Sequence, residues 1–329
     1  MLIVMHHTDA SFFDAVAPNL DNALQSFRVP MYYFLSGLFF KTYSGFADFL
    51  RRKVNNLVVP FVFFHLVGFL VAAIAFAFLH PEGHFHWMGV VEPLYRRWWP
   101  YTMPLWFLMS LFEVNIIYYL MKRFLPIKLH WVILLALSVL PLVLAKYAVQ
   151  LPLLFDTAFV GLPFFALGTI VKTSGWLMPH RYDKWGLLVF PLVAVGVCFF
   201  AGHIDIVTQQ LPNYLQLYVV PMLSILALMW ICKNLRWKTK GANGKLTASI
   251  YARIPVIGYW GQFSLIVLGT HDWILTPLDT MLADVSVAPV SLALMKWCIA
   301  MAAMFVIIPL MVRVFPRFTA QSPLLPVKN

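Results

Sequence analysis

Two adjacent histidines, His6 and His7, end the apolar run Met1–Met5 and are followed by Thr8 and Asp9. Imidazole is the side chain whose ordinary pKa lies nearest neutrality, so a histidine there can take a proton from a hydroxyl. Asp9, folded back, would fix its tautomer and raise its basicity. The same pair also fits two interfacial residues wetted at a helix end. A second His-Asp pair, His271-Asp272, closes another apolar run. The pattern puts His271 near the outer end of its segment, at about the depth of His7. The two histidines then either line one polar cavity or are both interfacial.

Other residues invite chemistry less directly. Glu113 and Asn115 lie inside an apolar run, where a carboxylate is costly and defaults to a functional role. A pairing with Lys296, the one base also placed within a helix, is the structural alternative. Ser36-Gly37 permits close backbone approach by a neighbouring helix. As a nucleophile Ser36 has no acid in register, and G-x-S-x-G is absent. Arg51-Arg52-Lys53 fits a topogenic anchor, or a site that holds a phosphorylated ligand by charge-assisted hydrogen bonds. His80, His84 and His86 have metal-like spacing, but only Glu82 and no cysteine accompanies them, so no metal is expected. Cys198, Cys232 and Cys298 lie far apart in apolar runs and read as packing residues.

The elements that position these groups follow from composition. Of 329 residues, 61% are hydrophobic and 11% charged, and the mean hydropathy is +0.80. A soluble domain carries about 25% charged residues, so a water-soluble core is excluded. The apolar runs approach the roughly 20 residues that span a bilayer, without the alternation of a membrane barrel. The expected fold is an all-α integral membrane protein, one domain over 1–329. Nine segments are drawn: 29–42, 57–79, 104–121, 131–147, 155–172, 185–202, 215–232, 260–277 and 288–311. Met1–Met5 adds a tenth in part, rising only about 8 Å against a hydrocarbon core of roughly 30 Å. The expectation is about ten helices, the first beginning upstream of Met1, with a short re-entrant piece as the alternative. The run lacks the features of a cleavable signal peptide.

The net charge of +11 is sorted along the chain. Loops 41–56, 122–130, 172–184 and 233–259 and the tail hold most of the bases, whereas the alternate loops are net acidic. That alternation is the positive-inside pattern. It puts both termini in the cytoplasm and removes the reason to expect nucleic acid. Loop 233–259, which has no acid, reads as a hinge or a surface segment against anionic headgroups.

Six pieces in order resemble the acyltransferase-3 superfamily of membrane acyltransferases. They are Leu2-Ile3-Val4-Met5-His6-His7-Thr8; Val29-Pro30-Met31-Tyr32-Tyr33-Phe34-Leu35-Ser36-Gly37; and the basic stretch ending Leu57-Val58-Val59-Pro60. Next come Pro104-Leu105-Trp106-Phe107-Leu108, Phe164-Phe165-Ala166-Leu167-Gly168, and Phe263-Ser264-Leu265 through His271. The flavour is similar to fucose 4-O-acetylase-like members.

The resemblance implies transfer of an acyl group, usually acetyl from acetyl-CoA, to a hydroxyl of a sugar or cell-envelope glycan. The setting it implies is a bacterial cytoplasmic membrane, with acyl-CoA as co-substrate and no bound cofactor. It places the family's essential histidine on His7; Glu113, singled out by its position within an apolar run, is the second catalytic candidate. The family's arginine eleven residues earlier would fall before Met1. Its R-x-x-R element would fall on Lys53 and Asn56, with Arg51 and Arg52 able to cover, and Arg28 stands where a histidine is common. Candidate substrate contacts are Arg51, Arg52, Lys53, Ser36, Trp106 and His271. Trp87, Trp98, Trp99 and Tyr101 are candidates to stack on sugar rings. A rival reading, a transporter or flippase of a lipid-linked sugar, predicts inverted repeats, and none is visible.

Overall fold

The computed structural model describes residues 2–8, 18–79, 83–92, 103–178, 181–234, 238–240, 246–248, 255–282 and 288–327. The chain opens with a short helix, α1 (Leu2–Thr8), followed by α2 (Pro18–Leu38). Next, α3 (Phe46–Lys53) and α4 (Val59–Leu79) run on through a π-helical turn, Val54–Val58. The middle of the chain forms α5 (Trp106–Phe124), α6 (Ile127–Lys146), α7 (Phe155–Thr173), α8 (Gly186–Phe200) and α9 (Val220–Asn234). It closes with α10 (Pro255–Gln262), α11 (Ser264–Thr270), α12 (Asp272–Met281) and α13 (Pro289–Val314). Among the described residues, six helices are long and apolar enough to cross a membrane. The protein is an all-α, multi-pass membrane protein. Within the basic loop, β1 (Lys238–Lys240) and β2 (Leu246–Ala248) pair antiparallel, a small hairpin that the sequence reading did not foresee.

Local chemistry explains the ends of several helices. Pro126, extended, precedes α6, and Lys146 ends it, where a cation suits the negative end of the helix dipole. Pro289 opens α13 at a position whose N–H has no partner within the helix. The first apolar segment, drawn at 29–42, is corrected to a helix starting at Pro18. Its first turns carry Asn19, Asp21, Asn22, Gln25 and Arg28. Backbone hydrogen bonds form regardless of hydropathy, so a helix can extend through polar residues that bury against neighbours, as Ser26 and Arg28 do.

Helix α7 packs most closely against α2. A Cβ added at Gly37 would overlap the Phe165 carbonyl, and one at Gly168 would overlap the Phe34 carbonyl. The two backbones touch, which is the small-residue contact of membrane helices. Tyr33, Phe34, Phe164 and Phe165 are fully buried around this seam.

Asn55 ties the π-helical turn to the tail. Its Nδ2 donates to the Leu325 carbonyl (2.9 Å), and its Oδ1 accepts from the amides of Leu324 (3.1 Å) and Leu325 (2.8 Å). Phe63 adds ring contacts to Phe315 and Phe318 at 5.1 and 5.3 Å. Asn55→Ala removes these three hydrogen bonds to a partly exposed tail, at a cost of roughly 0.5–1.5 kcal/mol for each bond lost. The expected result is a lower melting temperature in detergent and faster tryptic cleavage at Arg317. An unchanged cleavage rate would remove this role.

The segment drawn as 260–277 spans α10, α11 and α12; the backbone leaves the helical region at Phe263 (φ −103°, ψ 26°), whereas at His271 it stays helical (φ −64°, ψ −35°). Depth is also corrected. Phe64, five residues into α4, meets Trp273 with ring centroids 6.0 Å apart. Thr270 reaches Met304 Sδ at 3.5 Å, ten residues from the end of α13. His271 therefore lies well inside the bundle, nearer the basic ends of α4 and α13 than the opposite ends. Apolar run length alone cannot reveal this, because it does not say where a helix breaks.

Candidate active site

His7, in the last turn of α1, packs on His271 with ring centroids 5.2 Å apart and planes tilted by 51°. Helix α1 reaches this place by packing on α13 and α12. His271 is fully buried at the junction of α11 and α12. Its Nδ1 lies 2.9 Å from the Val267 carbonyl. A carbonyl only accepts, so Nδ1 donates to it and Nε2 is left as the nitrogen that can accept a proton. Nε2 lies 3.3 Å from Asp272 Oδ1. The ligand-capable atoms of His7, His271 and Asp272 all fall within 4.8 Å of one another. Such a trio can pass a proton or, chemically, hold a divalent cation.

Two cavities reach members of this trio, one at His271 and the other at Asp272. One, of about 190 Å³, is lined by Val4, Tyr32, Trp260, Ser264, Val267 and His271, on the α10–α11 side. The other, of about 130 Å³, runs along α12 from Asp272 past Thr276 to Thr280, against Gly68, Ala72 and Phe76 of α4. Helices α4 and α12 run in the same direction, so the second cavity leads away from Arg51–Lys53. His271 lines the first cavity and its chain neighbour Asp272 the second.

The other candidates are distributed around this centre. Trp106 is buried and meets Phe107 edge-on at 6.1 Å, and Phe107 in turn packs on Tyr32 at 5.6 Å. Trp106 thus supports the wall of the first cavity from behind. Ser36 is one turn beyond Tyr32 on α2 but is not a lining residue, and Asn115 Nδ2 lies 3.5 Å from its Oγ. Glu113 is buried in a separate polar cluster between α2, α5 and α7. Nearby the Tyr33 hydroxyl lies 2.6 Å from Ser110 Oγ. Thr157 Oγ1 is 2.8 Å from the same oxygen. The expected Glu113–Lys296 pairing is corrected: Lys296 Nζ binds Asp279 Oδ1 at 2.7 Å. Neighbouring helices bring these two together, whereas position along a span only suggested a partner.

Arg51, Arg52 and Lys53 occupy the last turn of α3. Arg52 Nε donates to Asp48 (3.1 Å), and its guanidinium sits 4.6 Å over the Tyr43 ring. Lys53 lies over Phe49, and Arg51 is exposed. The 33-residue helix Phe46–Phe78 rises about 50 Å, more than a hydrocarbon core of roughly 30 Å, so this turn projects beyond it. Of the outer histidines, His86 binds Glu92 at 2.8 Å, while His80 and Glu82 lie outside the described residues. So do Asp9, Trp98, Trp99 and Tyr101, and of His6 only the backbone is described. Sequence reasoning missed Tyr32, Trp260, Ser264 and Thr276 as cavity residues. Tyr32, Trp260 and Ser264 stood within or beside the motifs it singled out.

A family model described as an acyltransferase domain matches residues 1–313. The chain belongs to the acyltransferase-3 family. No curated protein and no solved structure matches. This family member is accordingly a membrane acyltransferase, and its histidine pair, His7 and the buried His271, lies within the matched region.

Proposed function

We propose that this acyltransferase moves an acyl group, acetyl in the first instance, from acyl-CoA to a hydroxyl of a sugar or cell-envelope glycan at a bacterial cytoplasmic membrane. The observation that carries the reading is the contact of His7 with His271, which lines one cavity while the adjacent Asp272 lines another.

On this reading the basic ends of the helices face the cytoplasm, and Arg51, Arg52 and Lys53 hold the CoA phosphates. Phe64, level with Trp273, is eleven residues beyond Lys53, a rise of about 17 Å along the helix. The thioester arm has to cover roughly that distance through the first cavity. The acceptor hydroxyl approaches from the second. His7 takes its proton as the oxygen bonds to the acyl carbon. The carbon–sulfur bond breaks, and the thiolate leaves with the proton His7 gives back. His271, anchored through Nδ1 and adjoining Asp272, orients His7 and steadies its charge. A transient acyl-His7 intermediate would use the same geometry.

The test is a thiol-release assay on the full chain in nanodiscs, run with labelled acetyl-CoA and native membrane glycans. Free CoA thiol and labelled glycan should appear together, and prior treatment with EDTA should leave the rate within twofold. Neither product appearing would overturn the reading. Activity lost to EDTA and restored by zinc would instead assign the trio to a metal.

A further inference from the structure

We propose that the cleft between α4 and α12 is the acceptor subsite, and that its occupant is a lipid-borne hydroxyl: the head of an amphiphile anchored in the bilayer, not a soluble sugar. This rests on the acyl-transfer reading above and names the substrate class for that site.

The two walls of the cleft differ. On α12, Asp272, Thr276 and Thr280 recur every four residues and so share one face. They offer a carboxylate and two hydroxyls, groups that exchange hydrogen bonds with a polyol. The Thr280 hydroxyl meanwhile lies 3.2 Å from the Thr276 carbonyl. The α4 wall, built by Gly68, Ala72, Ala75 and Phe76, offers no polar side chain. A ligand matched to both walls is polar on one side and apolar on the other.

The position of the opening decides the route. Thr276 and Thr280 are exposed at the rim. The neighbouring face of α4 presents Leu70, Ile74 and Phe78, which are 57, 50 and 82% exposed. That helix belongs to the most apolar membrane span, with mean hydropathy 2.6, so these side chains face hydrocarbon. A molecule entering beside them arrives from the lipid phase. A free sugar would have to shed its water to do so, at several kcal/mol for unsatisfied hydroxyls. An amphiphile only slides its head between two helices.

Size agrees. The cleft of about 130 Å³ exceeds the roughly 10–15 Å³ that admits one water by about an order of magnitude. It takes one hydroxyl-bearing unit, and the rest of the acceptor stays outside, in the bilayer. At the inner end the cleft is lined by Asp272, whose Oδ1 lies 3.3 Å from His271 Nε2, so the first hydroxyl to reach the bottom meets that carboxylate beside the histidine.

The experiment uses native membranes containing the full chain, incubated with labelled acetyl-CoA and then partitioned between chloroform–methanol and water. Label should enter the organic phase and move to the aqueous phase after mild acid cleaves the lipid from its head. Ala72→Leu, which fills the cleft, and Thr276→Val, which removes one hydroxyl at constant volume, should each lower organic-phase label at least tenfold at equal protein level. Leu70→Phe, on the lipid-facing side of α4, should transfer like the parent. If Ala72→Leu fails to accumulate, Thr276→Val carries the test alone. Label confined to water-soluble glycan overturns the lipid-borne acceptor while leaving acyl transfer standing. Undiminished transfer by an accumulated Ala72→Leu, or by Thr276→Val, overturns the assignment of the cleft. No label in any fraction overturns the acyl-transfer reading as well.

Discussion

His7→Ala is expected to lower acyl transfer by about 10²–10⁴-fold, the usual contribution of a positioned general base. Its protein level and its KM for acyl-CoA should stay unchanged. The reason is geometric. His7 is the α1 group in contact with the His271 ring. Alanine also opens a small void, so His7→Gln is the informative companion. Glutamine fills much of the imidazole volume and keeps hydrogen bonding, but it cannot take up a proton at neutral pH. Both variants should be equally slow if proton transfer or acyl carriage is the role. A glutamine variant that regains most of the activity would reduce His7 to a packing residue. His6→Ala should retain transfer, which separates the two neighbours. The readout is single-turnover label transfer beside binding of the acyl donor.

Gly168→Leu is expected to be the most damaging change away from the histidines. Even the Cβ of a side chain at 168 would overlap the Phe34 carbonyl, and a carbonyl in a helix cannot rotate away. Helices α2 and α7 would have to separate along a seam that buries Tyr33, Phe34, Phe164 and Phe165. Overpacking a core with side chains alone costs about 1–3 kcal/mol, and a backbone clash exceeds that. Total stabilities are only about 5–15 kcal/mol, so the protein should fail to accumulate or should elute as aggregate from size exclusion. Gly37→Leu, clashing with the Phe165 carbonyl from the other side of the seam, should behave alike. Gly196→Leu on α8 is the control, since nothing lies within 4 Å of a Cβ there. A monodisperse Gly168→Leu with the parent's melting temperature would show that the helices do not need this contact.

The sequence by itself determined the medium and much of the helix layout. Runs such as 131–147 and 155–172 match α6 (Ile127–Lys146) and α7 (Phe155–Thr173). A lipid-facing helix must be apolar along its length, so its composition announces it. Residue types also announced the chemistry. Histidine beside aspartate, and glycine beside serine in an apolar run, have few physical uses. Partners were decided only by the tertiary structure. Helix α2 starts at Pro18, well before the apolar run, and buries the polar Ser26 and Arg28 against its neighbours. Lys296 pairs with Asp279, not Glu113, because α12 and α13 lie side by side there. The same holds for the histidines. Each was visible as a candidate, but contacts with neighbouring helices set their depth, Trp273 against Phe64 and Thr270 against Met304. Packing of α1 on α12 and α13 then brought His7 onto His271. A linear pattern records how each segment meets solvent or lipid, whereas side chains from distant segments meet only when the helices pack.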